Sequence, residues 1–183
     1  ESAIFLLLIA FIVLGKPFNL KVVLALICSL VFLLAPGLVN GILKETVMDN
    51  KYSNYLNNNI GMGFLRCFIV SIIPLGLAIA YCFMKKSSKT SIVKSEALLI
   101  NMLVINSALS LMGLYMQYWA RLAFYTSFAP IVLLPKLIDS VFIEKDRKWI
   151  KPLALVLYFI FFAYNIYVNI AYGAIEDFRV EWW

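Results

Sequence analysis

The chain has 183 residues, of which 63% are hydrophobic and 14% charged, and a mean hydropathy of +0.91; its apolar runs repeatedly reach the roughly 20 residues with which a helix crosses hydrocarbon. A water-soluble globular domain is excluded on these grounds. A nucleic-acid partner is not expected, because the positive residues are spread over three separate short connections instead of forming one patch.

Apolar runs between polar breaks predict a partial helix at about residues 2–15, then spans near 20–39, 62–84, 97–117, 122–142 and 152–173. The uninterrupted runs lack the alternation of barrel strands, so the expected fold is all-α: a polytopic transmembrane helical bundle of about five to six membrane helices, forming one domain over residues 1–183. The chain opens Glu-Ser without a Met, and its first apolar run, Ala3 to Leu14, is short for a span; the expectation is the C-terminal portion of a longer chain. The opening has neither the basic n-region nor the cleavage site of a signal peptide. Cys28, Cys67 and Cys82 all fall within predicted spans, lack CxxC spacing and have no histidine beside them, so they read as packing residues.

Orientation follows from lysine and arginine in the short connections. Lys16 and Lys21, then Lys85, Lys86, Lys89 and Lys94, then Lys145, Arg147, Lys148 and Lys151 alternate correctly for the cytoplasmic side of a multi-pass protein in the cell membrane. The opposite side holds Lys44, Lys51, Arg66, Arg121 and Arg179, offset by Glu45, Asp49, Glu176, Asp177 and Glu181. Residues 40–60, the turn at Trp119–Leu122 and the tail from Gly173 are therefore expected outside.

Arg121 is the only charged residue between Glu96 and Lys136. An arginine at mid-bilayer costs about 2.5–3.5 kcal/mol on insertion scales, so this one is expected near an interface, on the outer turn of a helical hairpin. Tyr115, Tyr118, Trp119 and Tyr125 surround it. Two readings fit: an aromatic belt with a snorkelling arginine, or a guanidinium forked onto a phosphate or diphosphate. Asn106, Ser110, Gly113 and Gln117 share one helical face leading to Arg121, and Asn165 and Asn169 lie one turn apart in the outer half of the last helix. Such stripes either join helices or line a polar cavity. The outer loop supplies Glu45, Asp49, Tyr52 and Tyr55, a palette suited to sugar hydroxyls, and leads to Arg66, which with Arg121 would make a two-arginine anion site if their helices are adjacent. Histidine is absent, as are a Gly-rich phosphate loop, a Gly-x-Ser-x-Gly elbow and an outer paired acidic metal motif, so no metal or cofactor is expected and any catalysis would be metal-independent.

The loop Asp49-Asn-Lys-Tyr-Ser-Asn-Tyr55 followed by Gly61-Met-Gly63, then Asn101, Arg121-Leu-Ala-Phe-Tyr125 and Leu134-Pro135, resembles the C-terminal half of the EpsG family, over about residues 40–140. That family belongs with the Wzy-like polymerases of bacterial capsule and exopolysaccharide synthesis. The resemblance implies a membrane glycosyltransferase, broadly similar to the GT-C superfamily, that joins oligosaccharide repeat units carried on undecaprenyl diphosphate at the outer leaflet. Its partners would be the polyprenyl-diphosphate-linked oligosaccharide, the lipid bilayer and other polysaccharide assembly proteins. Arg121, with Arg66, would stabilise the departing diphosphate; Asp49, then Glu45, are the candidate bases. Tyr52 and Tyr55 would stack on sugar rings, and Gln117, Tyr125, Asn165 and Asn169 would line the substrate cavity. The family is about twice this length, so N-terminal helices beyond this chain are expected to complete the site. A lipid-linked oligosaccharide flippase and a non-catalytic export subunit are the alternatives; a flippase needs charges deep in several helices, and these spans are nearly uncharged at mid-depth.

Overall fold

The computed structural model describes residues 9, 11–35, 63–115 and 117–171, with 117, 118, 165, 166 and 168–171 described as backbone only. Every described element is helical, as expected for an all-α membrane protein. The chain divides into two compact units, Glu1–Val141 and Phe142–Trp183.

In the first unit, α1 (Leu20–Leu34) begins at Asn19, whose extended backbone and Oδ1, accepting from the Val22 N–H at 3.0 Å, cap the helix. It stops short of the expected residue 39. Pro36 disfavours helical geometry at the residue before it, and Ala35 leaves the helix at φ −133°, ψ 59°. The turn preceding α1 needs Gly15, whose φ of +131° few side chains tolerate, and holds Phe18 in the left-handed region at φ +52°.

Helix α2 (Phe64–Ser87) carries one π turn, Phe68–Ile72. Pro74 follows directly: it lacks the N–H that would serve the carbonyl of Val70, and the wider turn relieves its ring against that carbonyl. Lys85 and Lys86 end α2, favourable company for a helix C-terminus.

Helix α3 (Lys94–Met112) is buried on all sides from Leu103 to Ser110, the pattern of a helix that other helices surround. Val104, Ile105 and Leu109 pack with Val22 of α1 and with Val13 and Ala123. Ile100 and Leu103 pack with Ala78 and Tyr81 of α2 and with Leu133 and Leu137 further along. The chain then returns through α4 (Gln117–Ala123) and a 3-10 turn (Phe124–Thr126) into α5 (Phe128–Val141). Trp119–Thr126 and α5 meet at a 54° bend, so the single span expected at 122–142 is broken. Arg121 lies within a short helix and not on a bare turn.

Two described helices, α2 and α3, are long and apolar enough to cross a membrane, and the bent pair, taken as one span, makes three. At 15 residues, α1 spans only about 22 Å of a hydrocarbon layer about 30 Å thick. Leu24, Ile27 and Val31 of α1, Leu65 and Phe83 of α2, and Ile131 and Val132 of α5 are exposed, an apolar exterior suited to lipid.

The second unit contains α6 (Glu144–Ala171), which carries no charged residue from Pro152 to Ala171. It starts well before the expected residue 152. Glu144 and Asp146 occupy its first turn, where the helix dipole favours them, and Arg147 donates through Nε and Nη2 to the carbonyl of Phe142 at 3.3 and 3.1 Å. A segment that reads as a basic loop is thus helical.

Candidate functional site

The α3–α4 return is closest at Gly113: a Cβ there would lie 3.0 Å from the N and Cα of Ala120 and 3.1 Å from its Cβ, so α4 would have to shift by a few tenths of an ångström. Two aromatics fasten this return to α1. Tyr115 and Trp119 meet Phe32 edge-on at 6.4 and 6.3 Å between ring centroids, and the Tyr115 hydroxyl donates to the Leu33 carbonyl at 3.3 Å. Trp119 is half-buried, Ala123 is buried, and Arg121 between them is exposed.

Arg66 arrives at the same end from α2. It is half-buried, and its Cζ lies 5.0 Å from the centroid of the Phe124 ring, within cation-π range. Phe124 follows Arg121 by three residues and belongs to the 3-10 turn after its helix, so the contact joins the Arg66 segment to that turn. Tyr125, the next residue, is exposed.

The polar face leading to Arg121 joins helices. Asn106 and Ser110 are buried, and Gly113 is the contact point for α4. The Asn106 Nδ2 donates to Ser71 Oγ at 3.3 Å, and its Oδ1 accepts from Thr126 Oγ1 at 3.4 Å. Of the other expected site residues, Gln117 lies at the start of α4 and Asn165 and Asn169 on α6, their side chains outside the described atoms. Glu45, Asp49, Tyr52 and Tyr55 lie outside the described residues.

The opposite end of the unit holds a cluster that sequence reasoning missed. Glu96, in the first turn of α3, is 11% exposed at its side chain; its Oε1 pairs with Lys136 of α5, and its Oε2 accepts from the Tyr81 hydroxyl of α2 at 2.7 Å. The Lys85 Nζ stands 5.7 Å from the Tyr81 ring centroid, beside an open pocket of about 290 Å³ lined by Tyr81, Met84, Lys85, Ser88 and Ser140. The signal available in the sequence was Lys136 itself, a charge inside a predicted span.

Asn101, near the same end, uses its whole amide on the turn before α1. Its Oδ1 accepts from the Phe18 N–H at 2.9 Å, and its Nδ2 donates to the carbonyls of Val13 and Lys16 at 2.9 and 3.0 Å.

Comparison with known families gives a match to the EpsG family over residues 1–177, wider on both sides than the stretch whose motifs carry the resemblance. No curated protein and no solved structure matches.

Proposed function

Because the chain belongs to the EpsG family, we propose that it serves as a polymerase of lipid-linked oligosaccharides, of the Wzy-like exopolysaccharide kind with which that family is associated. The substrate is a repeat unit on a polyprenyl diphosphate, undecaprenyl diphosphate in bacterial capsule and exopolysaccharide synthesis. An acceptor sugar hydroxyl attacks the anomeric carbon of the growing chain. The new glycosidic C–O bond forms, the bond to the diphosphate oxygen breaks with its electron pair, and the hydroxyl proton passes to a base, Asp49 before Glu45.

One observation carries this reading: Arg66 rests on Phe124, three residues past Arg121, so the segments bearing the two arginines meet through that ring. Arginine forks onto phosphate oxygens, and donors set in place before the reaction stabilise the charge that the leaving diphosphate gathers. In this mechanism the arginines take up that charge without a metal. The lysines of the opposite end, Lys85, Lys86, Lys89 and Lys94, support a cytoplasmic side there and an outer-leaflet site at the arginines. A flippase would need cations along the path of the headgroup, whereas the charges of α2 and α3 lie in their terminal turns and Lys136, inside α5, is paired with Glu96.

The deciding experiment incubates the purified full-length protein with a polyprenyl-diphosphate-linked repeat unit, with and without chelator. Polymer and free polyprenyl diphosphate in both arms are the expected result. No polymer from any intact preparation would overturn the reading, and loss with chelator alone would overturn metal independence.

A further inference from the structure

Four polar side chains, Ser71, Asn106, Ser107 and Thr126, are buried together at 0–1% exposure between α2, α3 and the 3-10 turn. Asn106 is the hub, joining Ser71 of the π turn to Thr126. Beside it the Ser107 hydroxyl is shared between the Ser71 carbonyl at 3.2 Å and the Leu103 carbonyl of its own helix at 2.9 Å. Thr126 Oγ1 likewise lies 3.1 Å from the Ala123 carbonyl.

Each arm ends on a segment that carries an arginine. Ser71 follows Arg66 by one π turn, and Thr126 follows Arg121 by little more than one helical turn. The contact of Arg66 with Phe124 then closes a circuit from Arg66 through Phe124, Thr126, Asn106 and Ser71 back to Arg66. A closed circuit restricts the relative placement of two segments more than either arm alone. Interhelical bonds of this kind contribute only about 0.6–2 kcal/mol each in membranes, and an apolar cluster of the same shape would be about as stable. Geometry is what the polar hub adds.

We infer that Asn106 is a positioning residue for the two-arginine end: through Ser71 and Thr126 it sets the spacing between the segments bearing Arg66 and Arg121. The catalytic consequence rests on the polymerase reading, whereas the geometric one does not.

The test uses the full-length protein with Cys28, Cys67 and Cys82 replaced and nitroxide labels at Leu65→Cys, beside Arg66, and Phe128→Cys, two residues past Thr126, both exposed and outside the hub itself. With Asn106 intact, dipolar EPR is expected to give one narrow distance distribution. Asn106→Leu, which removes both bonds at similar volume, is expected to shift or broaden it, and Thr126→Val, which removes one arm, to do so to a lesser degree. Without labels, both variants should lose kcat for polymerisation, Asn106→Leu by about tenfold, with KM for the lipid-linked repeat nearly unchanged. Unchanged distributions in both variants would overturn the inference, as would full activity in the all-apolar hub Ser71→Ala/Asn106→Leu/Thr126→Val. If the parent protein makes no polymer, the polymerase reading fails while the distance distributions still decide the role of Asn106. If Asn106→Leu does not fold, Thr126→Val decides.

Discussion

Asn101 accepts a hydrogen bond from the backbone of Phe18, 83 positions earlier, and in doing so holds Phe18 in the left-handed region at φ +52°. The same amide donates to Val13 and Lys16, so three backbone groups of one turn depend on a single side chain. Replacing it with Leu leaves them without that partner, at about 1–3 kcal/mol for each buried group left unmade. Asn101→Leu is expected to lower the melting temperature in detergent far more than Asn19→Ala, which loses a helix cap and its turn contacts worth about 1 kcal/mol in typical cases. Equal shifts would count against the clamp.

The Glu96–Lys136 pair is asymmetric, with side chains 11% and 52% exposed. Lys136→Met leaves a nearly buried carboxylate with the Tyr81 hydroxyl and the more distant charge of Lys85, whereas Glu96→Gln leaves a lysine that can reach water. Breaking a buried pair costs about 3–5 kcal/mol, and partial exposure puts Lys136→Met near the lower figure. Thermal unfolding should rank Lys136→Met below Glu96→Gln, with the double variant recovering most of the loss.

Gly113 stands where any Cβ would press on the backbone of Ala120. Gly113→Ala should displace α4 and with it Arg121. Its expected signature is a fall in polymer yield larger than its fall in stability, measured on the same preparation.

Arg121→Lys keeps the charge and loses the fork. Membrane insertion should be normal, while the polymerisation rate falls by about 10²–10³-fold, the range seen when one preorganised charge-stabilising donor is removed. Wild-type chain lengths from this variant would remove Arg121 from the mechanism.

Single cysteines at Asn57 and Ser88 of a Cys-free protein test orientation. Labelling from outside at 57 and only after permeabilisation at 88 is expected from the lysine distribution, and the reverse pattern would invert the proposed topology.

The apolar runs of the sequence locate the helices, because burying backbone polar groups in lipid leaves a run of apolar residues little choice but helix. Helix ends were less legible. Pro36 shortens α1 through Ala35, a one-residue effect that hydropathy averages away, and the charged first turns of α6 resemble a loop until Arg147 is seen on the Phe142 carbonyl. For the site, the sequence offered Arg66 and Arg121 as candidates and made their pairing conditional on helix adjacency; what the structure adds is the contact of Arg66 with Phe124, on the turn after the Arg121 helix. Asn106 was legible as helix glue, but its partners Ser71 and Thr126 were not, because a π turn and a 3-10 turn leave no period to read.

The Glu96–Lys136 contact bears on biogenesis. Each residue alone is a charge that a nascent helix must carry into or against the bilayer, and each lies on a different arm of the α3–α5 hairpin. Partitioning the arms one at a time leaves the Glu96 carboxylate without the lysine it meets in the folded unit, while partitioning them together lets Lys136 neutralise it. The hairpin is therefore best delivered to the membrane as one unit, with the arginine-bearing return α4 carried along at its tip.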